Sequence, residues 1–161
     1  MVTGNIIFVR GSSPLSKTIR LFDAGAYSHV AIALSSTHIL EAQYYTKSRI
    51  CPIYFEDYDV INLGLSRQQQ LEVMRLGISL VGKWYDYRQI GGYIMRQLFG
   101  SDIRKFNNPN NLICSEIIAI ILEKSGALEG TYGELEDKTP NELYKILKQY
   151  QEKRLHAPSI V

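Results

Sequence analysis

The sequence contains little of what marks several large classes of protein. Only two of its 161 residues are cysteine, too few for a disulfide framework, and 18 Lys and Arg against 16 Asp and Glu leave a net charge of only +2. No apolar run approaches the ~20 residues of a membrane span, and residues 1–10 lack the pattern of a secretory signal. These absences argue against an integral membrane protein and a broadly basic nucleic-acid binder. They favour a reduced, cytoplasmic setting.

What is present favours a folded chain. Hydrophobic residues make up 45% of the sequence, and its length is typical of one domain, so we expect residues 1–161 to form a single domain. Short runs typical of β-strands dominate the first part of the chain and helical patterns the later part, which predicts the α+β class. The predicted strands cover residues 5–10, 27–34, 37–43 and 58–63, and the predicted helices cover residues 16–22, 66–82, 113–124 and 139–150.

Two of the predicted helices have well-marked starts. Ser66 with Gln69, and Thr139 with Glu142, fit the capping box, in which each side chain satisfies a free backbone N–H of the other residue. The first of these helices carries apolar residues at helical spacing, namely Leu71, Met74, Ile78 and Val81.

Cys114 is a candidate nucleophile because of its position. It follows the Asn/Pro-rich turn at residues 107–111 and begins an apolar helix. A helix N-terminus carries partial positive charge and free N–H groups, which stabilise a thiolate and can hold an oxyanion. Most free cysteines are small buried hydrophobes, so position alone leaves both interpretations open. Cys51, beside Pro52 and without polar company, is the weaker candidate.

His29 is the candidate base. It lies at the start of an apolar strand, in the run YSHVAIAL. A cysteine nucleophile needs an imidazole that takes the thiol proton and later protonates the leaving group. The alternative is a histidine that merely closes the strand by bonding to backbone. His38, in the predicted turn, and His156, in the polar C-terminal part, compete for the role, but we expect both to be exposed.

Glu41 is the candidate partner of His29. Carboxylates rarely enter an apolar strand unless they are paired. Side chains alternate between the faces of a strand, so the loop of the hairpin decides whether the two residues meet. A three-residue loop, Leu34–Ser36, places His29 opposite Glu41 on one face. A two-residue loop would place the two side chains on opposite faces, so a catalytic pair requires the odd-length loop.

Taken together, six stretches of the chain resemble one family. In order they are GNIIF, YSHVAIAL, ILEA, GKWYDY, NNLICSEII and TPNELY. This ordered set, from Gly4 to about Leu147, is similar to the permuted, YiiX-like branch of the NlpC-type papain-like cysteine peptidases. The resemblance implies a circularly permuted papain-like fold, with a small antiparallel sheet or half-barrel packed against helices. It also implies that Cys114 is the nucleophile, His29 the base and Glu41 the residue that orients His29.

The chain also departs from this family. The first motif of the family is usually Gly-Asp, whereas this chain has Gly4-Asn5, and residues 91–111 contain no motif that can be matched. Tyr85, in GKWYDY, matches a position whose phenol could donate to an oxyanion or bind substrate, although a tyrosine packed through its ring is the equal alternative. No Walker loop, Rossmann glycine pattern or zinc-ligand spacing occurs, so no cofactor or metal is expected.

The resemblance implies a cysteine peptidase or amidase that works through an acyl-thioester. Its expected partner is a small peptide, such as a cell-wall stem peptide, or another acyl or amide substrate; no nucleic acid and no integral membrane contact are expected. A missing export signal favours recycled or intracellular fragments, or a phage-encoded protein released by lysis. Two alternatives stay open. One is an acyltransferase or thioesterase of the lecithin–retinol acyltransferase type, although ICSE differs from the NCEH pattern of those enzymes. The other is a catalytically silent binding module.

Overall fold

The computed structural model describes residues 1–42, 47–82, 114–128, 132–135 and 138–156. The strands and helices in chain order are β1 (Ile6–Val9), α1 (Pro14–Phe22), β2 (His29–Ala33), β3 (His38–Glu41), β4 (Arg49–Pro52), β5 (Tyr58–Ile61), α2 (Arg67–Ser79), α3 (Cys114–Lys124), α4 (Tyr132–Leu135) and α5 (Pro140–His156). This set of strands and helices confirms the predicted α+β class. None of the helices within the described ranges is long and apolar enough to cross a membrane.

The strands form one open sheet in the order β4-β3-β2-β1-β5, and every neighbouring pair is antiparallel. Four of these strands lie within predicted ones. The sequence does not predict β4, which lies at the edge of the described sheet, next to β3. Three of its four residues are exposed, so it lacks the alternation of apolar and polar residues by which a half-buried strand is recognised.

Alternation along the strands separates two apolar clusters. The larger one joins even-numbered residues of β1, β2 and β3 to the helices, and it includes Phe8, Ile32, Leu40, Ile118 and Leu147. The smaller one lies on the opposite face of the sheet and includes Ile7, Ala31, Ala33 and Ile39. His29 and Glu41 share the odd-numbered parity of this second cluster.

Helix α2 is where predicted, and its capping box is present: Ser66 Oγ accepts from the Gln69 N–H, and Gln69 Oε1 accepts from the Ser66 N–H. Its apolar spacing, however, does not mark a buried face. The residues at that spacing are exposed, and Val73 and Gly77 are buried instead. The reason is a close approach: a Cβ at Gly77 would lie 2.6 Å from Leu34 Cδ2, so Leu34 packs where only glycine leaves space.

Helix α5 is fixed to the start of β2. The predicted cap is present, since Thr139 and Glu142 exchange side-chain-to-backbone bonds, and the helix runs past its predicted end. On its first turn, Asn141 Oδ1 accepts from the Tyr27 N–H at 2.8 Å and Asn141 Nδ2 donates to the Tyr27 carbonyl at 2.8 Å. A buried side chain thus pairs with the backbone as a neighbouring strand would, two residues before His29.

Candidate active site

His29 and Glu41 meet on one face of the β2–β3 hairpin. His29 Nε2 and Glu41 Oε2 are 3.2 Å apart. The same-face prediction is therefore confirmed, but the predicted register is wrong by two residues. Ile32 lies opposite Leu40 and Ala33 opposite Ile39. Extended by one residue, this register places Glu41 opposite position 31 and diagonal to His29. A shift of two keeps both side chains on one face, and a diagonal pair is still within reach of long side chains.

The hydrogen bonds of the loop explain this register. Ser35 Oγ accepts from the backbone N–H of Thr37 at 3.2 Å and of His38 at 3.0 Å, and the backbone N–H groups of Leu34 and Ser35 both donate to the His38 carbonyl. Leu34 is thus paired, and the three-residue loop runs over positions 35–37 instead of 34–36. The loop has the odd length that the pairing of His29 with Glu41 requires.

Glu41 is buried completely, with its side chain 0% exposed. Besides the bond to His29, its Oε1 accepts from Arg49 Nε at 3.0 Å and Nη2 at 2.8 Å, and the Tyr54 hydroxyl lies 2.9 and 2.8 Å from its two oxygens. Arg49 stands opposite Glu41 on β4. Burial raises the pKa of Glu41, but the bonds from His29 and Arg49 outweigh it and lower the pKa from 4.5 to about 2.

Cys114 is the first described residue of α3 and is buried, 5% exposed. Helix α3 packs against β2, and Cys114 interacts with the side chain of His29, the first residue of that strand. Burial lowers the pKa of His29, but the bonds to Cys114 and Glu41 outweigh it and raise the pKa from 6.5 to about 9. Both Cys114 and Glu41 thus favour the protonated form of the imidazole.

Cys51 lies in the same region but in a different electrostatic setting. Its Sγ is 3.4 Å from Glu41 Oε1. Burial, together with the negative charge of Glu41, raises the pKa of the Cys51 thiol from 9.0 to about 11, despite the nearby Arg49. The thiolate form of Cys51 is thus disfavoured. The expectation that Cys51 lacks polar neighbours is wrong, because Glu41 and Arg49 both lie close to it.

The remaining predicted residues lie elsewhere or outside the described part. His38 is exposed at the hairpin loop, with its Nδ1 3.0 Å from Thr37 Oγ1. Tyr85, residues 91–111 and the side chain of His156 lie outside the described residues. Asn5, which replaces the acid of the family motif, is buried and accepts from the Val2 N–H at 2.7 Å, so it closes a local turn.

Sequence reasoning missed Arg49 and Tyr54. A carboxylate in an apolar strand indicates that it needs a partner, and a cation is one candidate. The sequence has 18 Lys and Arg residues, and nothing in it shows which of them is the partner. Arg49 becomes identifiable only from the pairing of β3 with β4. Within the described ranges, no group of three or more His, Cys, Asp or Glu residues is arranged to hold a metal ion.

No protein-family model matches the chain, and no curated protein matches it. Among solved structures, it is similar to the metalloprotein YiiX from Escherichia coli O157:H7, with a TM-score of 0.59 and 22% identity. The match covers 92% of this chain and 81% of that one. At this identity the likeness shows the fold, a YiiX-like arrangement of the antiparallel sheet and helices. The described residues do not fit a metal centre, so no step proposed below involves a metal.

Proposed function

We propose that this chain is a cysteine-dependent hydrolase of peptide or amide bonds, with Cys114 as nucleophile, His29 as base and Glu41 as the residue that orients the imidazole. The observation that carries the proposal is the pairing of His29 with the buried carboxylate of Glu41, next to Cys114 at the start of the described part of α3. Thiol hydrolases need this set of groups.

The position of Cys114 on α3 favours transfer of its proton to His29. Cys114 stands at the N-terminal end of α3, where partial positive charge stabilises the thiolate once His29 holds the proton. The free N–H groups of a first helical turn are also suitable donors to an oxyanion. Glu41 in turn stabilises the imidazolium and fixes the ring orientation, as the third residue of a triad does.

The proposed reaction has two stages. The Cys114 thiolate attacks the substrate carbonyl carbon, and backbone N–H groups at the start of α3 stabilise the tetrahedral oxyanion. The oxyanion then collapses, the C–N bond breaks, and the imidazolium of His29 gives its proton to the leaving amine, which leaves a thioester on Cys114. In the second stage, His29 takes a proton from water, whose oxygen attacks the thioester. The second oxyanion collapses and the C–S bond breaks. The carboxylic acid leaves, and the Cys114 thiolate and the His29 imidazolium are restored.

The order of these residues along the chain supports a permuted papain-like core. His29 and Glu41 precede Cys114, whereas ordinary NlpC-type members place the cysteine first. We assign residues 1–161 to one domain of this kind and short or cell-wall-type peptides as its substrates. The six matching sequence stretches and the YiiX-like fold support this assignment.

The test is covalent labelling of the thiols. Wild-type protein is treated with limiting iodoacetamide across about pH 5 to 9, and labelled peptides are mapped by mass spectrometry. We expect Cys114 to label at least about tenfold faster than Cys51 at pH 6–7, since thiolate content controls the rate. Cys114→Ser should abolish the fast reaction and His29→Ala should remove its neutral-pH component, while Cys51→Ser, the matched control, should retain it.

Substrate chemistry is tested separately. The protein is incubated with libraries of peptides and lipid esters, and intact mass reports any acyl adduct. An acyl adduct on Cys114 derived from a peptide supports the hydrolase, whereas one derived from a lipid ester supports the acyltransferase alternative. If Cys114 labels no faster than Cys51 and forms no adduct, the proposed function is wrong.

A further inference from the structure

Three residues outside the proposed triad contact its carboxylate: Arg49, Cys51 and Tyr54. Arg49 binds Glu41 Oε1 through two nitrogens, and the Tyr54 hydroxyl contacts both Glu41 oxygens. The side chain of Arg49 is 47% exposed, while that of Glu41 is fully buried. The same carboxylate thus faces an imidazole on one oxygen and a guanidinium on the other.

We propose that Arg49 is a positioning residue that holds Glu41 in place and lowers the affinity of His29 for its proton. The inference rests on the proposed function, because its purpose is to match His29 to the proton transfers of the hydrolase. It assigns Arg49 an electrostatic role as well as a structural one.

The charged and titratable groups near His29 determine how tightly it holds its proton. Cys114 on α3 and Glu41 on β3 both stabilise the imidazolium when they are ionised. On β4, Arg49 is a cation and Cys51 a neutral thiol at neutral pH, because the pKa of Cys51 is raised to about 11. Tyr54 follows β4 and also stays neutral, since burial and Glu41 raise its pKa. Arg49 is therefore the one cation that opposes protonation of His29 among these groups.

A lower affinity of His29 for its proton would assist the proposed reaction. His29 must first hold a proton and then give it to a leaving amine, and a general acid works best when its pKa is near the working pH. A buried carboxylate without a counter-charge would bind the imidazolium more tightly and slow the second transfer. Arg49 shares the charge of Glu41 and so weakens this hold, while its two parallel bonds keep the carboxylate aimed.

The test compares variants that differ in charge at position 49. The protonation of His29 is followed by NMR of its ring, in a Cys114→Ser background so that the result is independent of thiol chemistry. Signals of His29 are identified by their loss in His29→Ala. Arg49→Gln should move the titration midpoint upward by about one pH unit, the low end for the effect of one nearby charge. Arg49→Lys should stay near the reference, and Glu41→Gln should move the midpoint downward.

The control is Arg75→Gln, which removes an arginine that pairs with Glu72 on the exposed part of α2 and should leave the midpoint in place. Arg49→Met is a second neutral variant. An unmoved or lowered midpoint in a folded neutral variant overturns the inference, and so does failure of both to fold while Arg49→Lys folds, since the charge of Arg49 would then serve the fold instead of His29. If the midpoints move as expected but Cys114 does not label rapidly in the wild type, the inference holds and the proposed function fails.

Discussion

Replacement of Glu41 by glutamine is the most informative single perturbation of this site, because the two side chains have nearly the same shape. The carboxylate accepts from His29, Arg49 and Tyr54 and is fully buried. An amide at this position carries no charge, and its NH₂ group would face donors in place of an acceptor. The variant thus removes the electrostatic contribution with little change in packing.

The pKa of Glu41 gives the expected size of the loss in stability. A shift from 4.5 to about 2 is 2.5 units, and one unit corresponds to about 1.4 kcal/mol, so the folded protein stabilises the charged form by roughly 3 kcal/mol. Arg49 is 47% exposed and can turn toward water when its partner is lost. We therefore expect Glu41→Gln to lower the free energy of unfolding by about 2–3 kcal/mol at neutral pH, below the 3–5 kcal/mol of a broken, fully buried ion pair.

The assay is urea unfolding of wild type and Glu41→Gln as a function of pH. The folded pKa of Glu41 lies below its unfolded value, so its contribution is fully present above pH 4.5 and is lost as the pH falls toward about 2. The difference between the two proteins should shrink over that interval. The control is Glu72→Gln, which breaks an exposed pair with Arg75 and should cost less than about 0.5 kcal/mol.

A cost below about 0.5 kcal/mol for Glu41→Gln, or a difference that stays constant in acid, would refute this reasoning. Reactivity gives a second measure, since an orienting group contributes ring orientation and not the attacking electrons. We expect the fast labelling of Cys114 to fall about tenfold to a thousandfold in Glu41→Gln, less than the ~10⁴ drop known for the Asp-to-Asn change in a serine triad. A pH profile that His29→Ala moves and Glu41→Gln does not would remove Glu41 from the site.

Two further predictions concern stability. The pKa of His29 is about 9 in the folded protein and 6.5 in the unfolded chain. Its contribution to stability is therefore fully present below pH 6.5 and is lost as the pH rises through about 9. Urea unfolding should show this alkaline loss in wild type and a flatter profile in His29→Gln, and an equal loss in both would contradict the assignment. Asn141→Ala leaves the buried N–H and carbonyl of Tyr27 without partners, which should cost about 2–3 kcal/mol in urea unfolding. The exposed Asn62→Ala is its control, and a cost equal to that control would be the contrary result.

The face of the hairpin on which each side chain lies is easier to predict from the sequence than the register of the two strands. Strand parity follows from residue counting, so the shared face of His29 and Glu41 is predictable once the loop is odd in length. Which three residues form the loop depends on the hydroxyl of Ser35, which accepts from two backbone N–H groups. Serine side chains make such bonds in many conformations, so a local pattern does not select this one.

The partners of Glu41 and the orientation of α2 could not be predicted for a related reason. Arg49 reaches Glu41 because an unpredicted edge strand pairs with β3, and sequence spacing does not show which strands become neighbours. On α2, the apolar spacing describes a stripe of side chains, but the buried face is set by the space that Gly77 leaves for Leu34. Both outcomes are tertiary, since they depend on contacts between separate elements.

The division of the site between sheet and helix has a consequence for how its reactivity can vary. The carboxylate, its arginine and the imidazole lie within residues 29–49 and are joined by hydrogen bonds, whereas the thiol comes on a helix that contacts β2 through apolar residues such as Ile118 and Ile121. In the proposed mechanism, the spacing between sulfur and imidazole then depends on how these aliphatic side chains pack. Misplacement of a reacting group by 1 Å can cost about a hundredfold in rate. Exchanges among isoleucine, leucine and valine beneath α3 would therefore adjust the rate of the proposed reaction over a wide range while every charged residue of the site stays the same.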